Sequence, residues 1–342
     1  MKAAFIREHG DPDVLEVGEL PDPEPGPGEV LLEVRAAALN HLDLWVRRGL
    51  PGLGLDFPHV GGADVAGVVE EVGGDVTRWE PGDRVAVNPG LWCGECEWCV
   101  RGEHSLCETY AILGEHVSGG LAERVAVPGR NLYRVPDEYP LKKAAAVPLV
   151  FQTAWRGLIT RAGLQAGETV LITGGSGGVS TAAVQIAKLV GAEVYAVTSG
   201  PENVRLVGEL GADHVIDRLE EDFSEVVWKA TGKRGVDVAL DSVGEAVFDD
   251  CVRAMAKNGR LVTYGATTGP HADLDIRRTF WKQLQVIGST MASRSEFERV
   301  MDLVYAGKLG PVIDEVWPLE RVRQAHERLE GGEQFGKIVL TP

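Results

Sequence analysis

The stretch ETVLITGGSGGVSTAAVQIAKLVGA, residues 168–192, decides how the rest of the chain is read. Its opening, ETVLIT, is an apolar run with the length of a strand buried on both faces. Gly174, Gly175, Gly177 and Gly178 then mark a tight turn, and STAAVQIAKLVGA has helical spacing that stops at Gly191. In this order a bound pyrophosphate meets the free N–H groups and positive dipole end of a helix N-terminus. The fingerprint is Gly175-x-Gly177-Gly178-x-Ser180, with a small serine in the last place, which serves helix–strand packing. A glycine turn alone is a weak signal, because an ordinary loop gives the same letters. Further strand candidates strengthen it: EVYAVTS (193–199), HVID (214–217), VDVALDSVG (236–244), RLVTYGATTG (260–269) and QLQVIGST (283–290), with helical stretches such as 203–212 between them. The succession predicts an α/β fold with a doubly wound parallel sheet that binds a dinucleotide, with Gly175, Ser176, Gly177, Gly178 and Val179 at the pyrophosphate.

A carboxylate at the end of the following strand, ~20 residues past the turn, would hold a ribose 2′-hydroxyl and mark NAD. Here that strand ends Val197-Thr198-Ser199-Gly200. Thr198 and Ser199 offer hydroxyls to a 2′-phosphate, and Arg205 follows closely, so NADP(H) is favoured over NAD(H). Glu202 beside Arg205 weakens the phosphate contact, and a solvated Arg205 would leave both cofactors acceptable.

Outward from this segment the rhythm changes. Residues 28–39 (GEVLLEVRAAAL), 66–74 (AGVVEEVGG) and 83–90 (DRVAVNPG) alternate like strands and are separated by Gly- and Pro-rich turns, which predicts a small barrel or irregular sheet. An amphipathic helix over 295–310 precedes VIDEVWPL and a last strand, GKIVL. The expected layout is a β-rich domain of residues 1–150 and 292–342, interrupted by a dinucleotide-binding domain of residues 151–291. The net charge is −17, from 34 basic and 51 acidic side chains, which argues against nucleic acid as a partner. No apolar run is long enough for a membrane span, and MKAAFIREHG does not read as a secretory signal, so cytoplasmic residence is expected.

Four of the five cysteines fall at Cys93, Cys96, Cys99 and Cys107, in a lobe of about residues 90–110. Thiolates suit tetrahedral zinc, and a four-cysteine site is closed to substrate and hence structural. An iron–sulfur cluster is disfavoured because the fourth cysteine does not follow at the ferredoxin spacing. Four reduced thiols without metal are the plainer alternative. His104 reads as an exposed loop residue, and Cys251 as packing.

These features together resemble the medium-chain dehydrogenase/reductase superfamily, which includes zinc alcohol dehydrogenases and quinone oxidoreductases. The resemblance spans nearly the whole chain: the N-terminal β domain, GVVEEVGG with PGDRV, the cysteine lobe, GGSGGVS and the closing FGKIVL. It implies a GroES-like β-rich catalytic domain joined to a Rossmann domain, hydride transfer with a nicotinamide, and a homodimer or homotetramer. It further implies that Thr153, Ser242, Gly265 and Lys337 approach the cofactor.

The catalytic zinc ligands of the alcohol dehydrogenases are not matched. Their Cys-His-Thr segment corresponds to Asn40-His41-Leu42, their Gly-His-Glu to Gly62-Ala63-Asp64, and their third ligand to Leu149. Asn-x-x-Asp with Gly-x-Asp is instead similar to the quinone oxidoreductase branch. The expected activity is therefore NAD(P)H-dependent hydride transfer to a quinone or an α,β-unsaturated carbonyl without catalytic zinc. Asn40 is the expected donor to the substrate oxygen, His41 a second candidate, and Asp43 a residue orienting the loop. Trp45, Phe280 and Trp281 are pocket candidates. The alternatives are an alcohol dehydrogenase with a metal site rearranged around His41 or His59, and a non-catalytic nucleotide sensor.

Overall fold

A computed structural model describes all residues, 1–342. The chain divides into two compact units, Met1–Val150 with Ala292–Pro342, and Phe151–Met291.

In the second unit six parallel strands run in the order His214–Asp217, Glu193–Thr198, Thr169–Ile172, Val236–Asp241, Met255–Thr263, Gln285–Gly288. The strand order reverses beside Thr169–Ile172, which makes the crevice at its carboxyl end the natural ligand position in an open α/β sheet. Val170, Leu171 and Ile172 are fully buried, as a strand covered on both faces requires. The helix after the glycine turn is Gly178–Val190, and Gly191, at φ 91°, closes it in the left-handed conformation.

The first unit contains a seven-stranded sheet built around Glu29–Ala38. That strand pairs antiparallel with Asp64–Val72, Arg124–Pro128 and the C-terminal strand Lys337–Thr341. Ile313–Pro318 lies parallel to the last of these. The unit also holds a three-stranded sheet of Glu16–Glu19, Lys2–Ile6 and His59–Val60, and a two-stranded one of Gly90–Leu91 and Ala111–Ile112. One core collects the inward residues Val30, Leu32, Val34, Val65, Val69, Val85, Val125 and Val127, while Arg35 stays exposed between them. Register has the chemical consequence here. Ala38 pairs with Asp64 on one side and with Val339 on the other, so Asp64, the residues after Ala38 and Lys337 converge at one end of the sheet.

Candidate functional site

Asn40 follows directly on the central strand and is the N-cap of helix His41–Arg48. Asp43, three residues on, turns back and accepts the Asn40 N–H at 2.7 Å, half of the reciprocal arrangement that stabilises helix starts. Its other oxygen accepts the Gly62 N–H at 2.8 Å. Gly62 has φ +94°, and a Cβ there would lie 2.8 Å from Leu121 Cγ, so only glycine fits this turn. Asp43 therefore caps a helix and ties it to the 61–64 segment, where a loop was expected. Burial pushes its carboxyl up to about 6, although both backbone N–H bonds and Lys337 pull the other way.

The turn delivers Asp64, which is fully buried. One carboxylate oxygen accepts the Leu149 N–H at 2.7 Å; the other accepts the Asn40 amide at 3.0 Å and the Lys337 ammonium at 2.8 Å. Lys337 also donates to Asn40 Oδ1. These bonds fix the amide's orientation, since an ammonium can only donate and an ionised carboxylate only accept. One sequence expectation changes here. The Asn40 amide N–H groups face Asp64 and, at 3.4 Å, the Ala38 carbonyl, so they are not left for a substrate. Lys337, which the resemblance sets near the cofactor, joins Asn40 and Asp64 in one buried cluster. His41, half-buried on the first helical turn, has its imidazole pulled below the usual range by burial and then by Arg48 and Lys337, which keeps it neutral. His59 Nε2 lies 3.1 Å from the Gly114 carbonyl, so that nitrogen is already engaged.

In the second unit the expected cofactor residues gather at the carboxyl ends of neighbouring strands. The glycine turn follows Thr169–Ile172, Thr198 and Ser199 end Glu193–Thr198, Ser242 follows Val236–Asp241, and Gly265 follows Met255–Thr263. A Cβ on Gly175 would stand 3.1 Å from the Val197 carbonyl and 3.3 Å from Thr198 Cβ. No side chain caps the N-terminus of helix Gly178–Val190, which leaves its first N–H groups to a ligand. Ser180 donates to the Thr173 carbonyl at 2.8 Å, a bond a glycine could not make. The Thr198 hydroxyl is buried without a partner, as a group awaiting a bound ligand would be. These features fit a dinucleotide. Thr153 is buried with its hydroxyl toward Met291 Sδ at 4.0 Å. Glu202 and Glu209 both pair with the Arg205 guanidinium on the exposed helix face, which favours the solvated reading of Arg205 over a 2′-phosphate contact. Phe280 and Trp281 are 63% and 77% exposed, so they are not core residues of their unit. Asp241 was missed. It is fully buried and accepts from Thr173, Val243 and Gly244, fixing the turn that carries Ser242. A carboxylate closing an otherwise apolar strand was its signal.

The four lobe cysteines hold their sulfurs within 4.8 Å of one another. Cys93 lies 3.8 Å from Cys99 and 3.5 Å from Cys107, sulfur to sulfur. A tetrahedron with Zn–S of ~2.3 Å has an edge of ~3.8 Å, so the thiols match a four-coordinate ion. Backbone N–H groups of Glu95 and Cys96 point at Cys93 Sγ and pull its thiol below the usual range. His104 accepts the Arg294 N–H at 3.2 Å and is no part of this group, and Cys251 is packed in the core of its own unit.

Residues 26–137 match the alcohol dehydrogenase GroES-like domain, and residues 178–306 match the zinc-binding dehydrogenase family. An acryloyl-coenzyme A reductase of Metallosphaera sedula is 35% identical, with all of both chains covered. An NAD-dependent alcohol dehydrogenase of Sulfolobus acidocaldarius is 35% identical over 99% of each chain. The crystal structure of an NAD-dependent alcohol dehydrogenase is 44% identical, covers both chains completely and superposes with a TM-score of 0.96. A glycine turn built for a dinucleotide, a four-thiol lobe and this full-length likeness lead to one conclusion: the chain belongs to the medium-chain dehydrogenase/reductase superfamily and is an NAD(P)-dependent oxidoreductase.

Proposed function

We propose that this oxidoreductase reduces activated carbonyl compounds, either quinones or α,β-unsaturated carbonyls, without a catalytic metal. The observation that carries the reading is the occupancy of the three positions where the family's zinc ligands fall. Asn40 is bonded to Asp64 and Lys337, Ala63 is a methyl group, and Leu149 contributes only its backbone N–H. Zinc catalysis needs three protein ligands and an open position, and this donor set does not supply them. The relative named acryloyl-coenzyme A reductase, whose name specifies a conjugated acyl group, supports the choice of substrate class.

When bound, the reduced dinucleotide supplies a hydride. The chain's own residues bind and orient. Gly175 to Val179 receive the pyrophosphate at the helix N-terminus, and Thr198, Ser199, Ser242 and Gly265 border the same strand ends. The absence of a carboxylate after Val197 supports NADP(H), while Arg205 is better read as a surface ion-pair partner. Asn40 and Asp43 act as positioning residues, and neutral His41 remains a donor candidate. A structural zinc in the Cys93, Cys96, Cys99, Cys107 lobe follows from the fit of the thiols. A homodimer draws support from the edge strand Gln285–Gly288, beside which Ile276, Phe280, Trp281 and Val286 are exposed. No helix is long and apolar enough to cross a membrane.

Metal analysis of the NADPH-saturated protein, paired with NADPH oxidation against quinones, enones and aldehydes, tests the reading. One zinc per chain, lost in Cys96→Ser, with turnover of conjugated acceptors supports it. A second bound metal required for turnover would overturn it in favour of a rearranged alcohol dehydrogenase site. Tight NADPH binding with no acceptor reduced would favour a sensor.

A further inference from the structure

In the second unit the edge strand His214–Asp217 runs parallel to Glu193–Thr198, in a register that sets Thr198 beside Asp217. The residues that follow, Ser199 and Arg218, therefore leave the sheet side by side, about 4.8 Å apart as neighbouring strands are. The backbone past each strand is held. The Arg218 N–H donates to the Thr198 carbonyl at 3.0 Å. Asp217 accepts the Gly200 N–H at 3.0 Å with one oxygen and the Leu219 N–H at 3.0 Å with the other. Asn203 Nδ2 donates to the Ser199 carbonyl at 3.0 Å. These bonds leave two side-chain functions unused: the Ser199 hydroxyl has no partner, and the exposed Arg218 guanidinium makes no ion pair. Residues 193–222 hold two arginines. Arg205 is engaged by Glu202 and Glu209, so Arg218 is the one whose charge is free. It stays free although Asp217, Glu220 and Glu221 are its neighbours in sequence.

The glycine turn leans on the same strand end. The Gly175 N–H donates to the Val197 carbonyl at 2.8 Å. A dinucleotide with its pyrophosphate at that turn brings its adenosine ribose to the place just past Val197, where a carboxylate would bind a 2′-hydroxyl. The groups found there are of the opposite kind. The Thr198 hydroxyl is buried without a partner, Ser199 offers a second hydroxyl, and no side chain caps the positive end of helix Pro201–Glu209. We propose that Arg218 selects the 2′-phosphorylated dinucleotide: its guanidinium binds the 2′-phosphate, and the Ser199 hydroxyl donates to the same group. This rests on the reading of NADP(H) as the cofactor. A guanidinium meets a phosphate with two parallel charge-assisted N–H bonds, and a ribose hydroxyl gives it no such partner. The nearest carboxylate, Asp217, already has each oxygen on a backbone N–H, so it is not set to take the ribose in place of a phosphate.

The test compares wild type with Arg218→Ala, Arg218→Lys and Arg205→Ala, all at exposed positions and each checked for folding by circular dichroism and thermal melting. Fluorescence titration gives Kd for NADPH and NADH. Competition by adenosine 2′,5′-bisphosphate and by adenosine 5′-monophosphate, which differ only in the 2′-phosphate, isolates that group. Arg218→Ala is expected to raise the NADPH Kd ~10–100-fold and to weaken the bisphosphate as much, with NADH and the monophosphate changed less than about twofold. Arg218→Lys, which keeps the charge without the planar fork, should fall between. Arg205→Ala should behave as wild type. An equal loss of NADPH and NADH in Arg218→Ala would overturn the assignment, because a residue that only shapes the strand end acts on both. NADPH preference retained in Arg218→Ala would refute the role of Arg218 alone, and a loss confined to Arg205→Ala would move the contact there. A wild-type chain that binds NADH as tightly as NADPH would refute the NADP(H) reading itself.

Discussion

Replacing His326 with glutamine separates two buried titrations that oppose each other in the first unit. His326 is 2% exposed, and burial, reinforced by the Arg47 charge, pushes its imidazole from 6.5 down to about 3. Its Nδ1 lies 3.3 Å from Arg47 Nη1 and accepts from it only while the ring is neutral. Asp43 is 3% exposed and moves the other way, from 3.8 up to about 6. Both residues line one small cavity with Arg47 and His59. Between pH 6.5 and 3 the folded chain holds fewer protons at His326 than the unfolded chain, so this residue lowers stability as pH falls. Between pH 3.8 and 6 the folded chain holds more protons at Asp43, so that residue lowers stability as pH rises. At ~1.4 kcal/mol per pKa unit the full effects are about 5 kcal/mol for His326 and about 3 kcal/mol for Asp43. Over pH 4–6 the two slopes cancel. His326→Gln keeps an oxygen for Arg47 and removes one slope, so the variant should gain about 2–3 kcal/mol relative to wild type on going from pH 6 to pH 4. Urea unfolding followed by tryptophan fluorescence, at constant ionic strength from pH 4 to 7, measures the difference. Parallel stability curves for the two proteins would mean that His326 is charged in the fold, and the argument from burial would fail.

Gly175→Ala should raise the dinucleotide Kd at least tenfold, about 1.4 kcal/mol, because the new methyl meets the Val197 carbonyl; NADPH fluorescence titration reads it. Cys96→Ser should release the metal, seen as loss of zinc by mass spectrometry and a lower melting temperature of the first unit. Arg205→Ala should leave the ratio of NADPH to NADH affinity unchanged, since Glu202 and Glu209 already neutralise the guanidinium; a marked fall in NADPH affinity alone would restore the phosphate contact. Asp43→Asn should remove the acid limb expected near pH 6 in kcat/KM, because the ionised wild-type carboxylate accepts from Asn40 and Gly62 with one oxygen each, and protonation turns one of those oxygens into a hydroxyl that accepts more weakly.

The parallel sheet was legible because its central strands, Thr169–Ile172, Glu193–Thr198 and Val236–Asp241, are buried and read as largely apolar runs, each ending in a glycine or hydroxyl-bearing turn. Cysteine spacing made the four-thiol lobe legible, because side chains close in sequence need little else to meet. The helix beginning at His41 escaped notice, although Asn40-x-x-Asp43 carries the spacing of a capping pair. The partners of Lys337 could not be read from sequence. Its neighbours Asn40 and Asp64 are hundreds of residues away, and only the pairing of Val339 with Ala38 and of Ala38 with Asp64 brings the three together. Strand register over that separation leaves no local mark. Arg205 is the opposite case: helical spacing sets Glu202 and Glu209 on its own face, and the sequence already named Glu202 as weakening its contact with a phosphate.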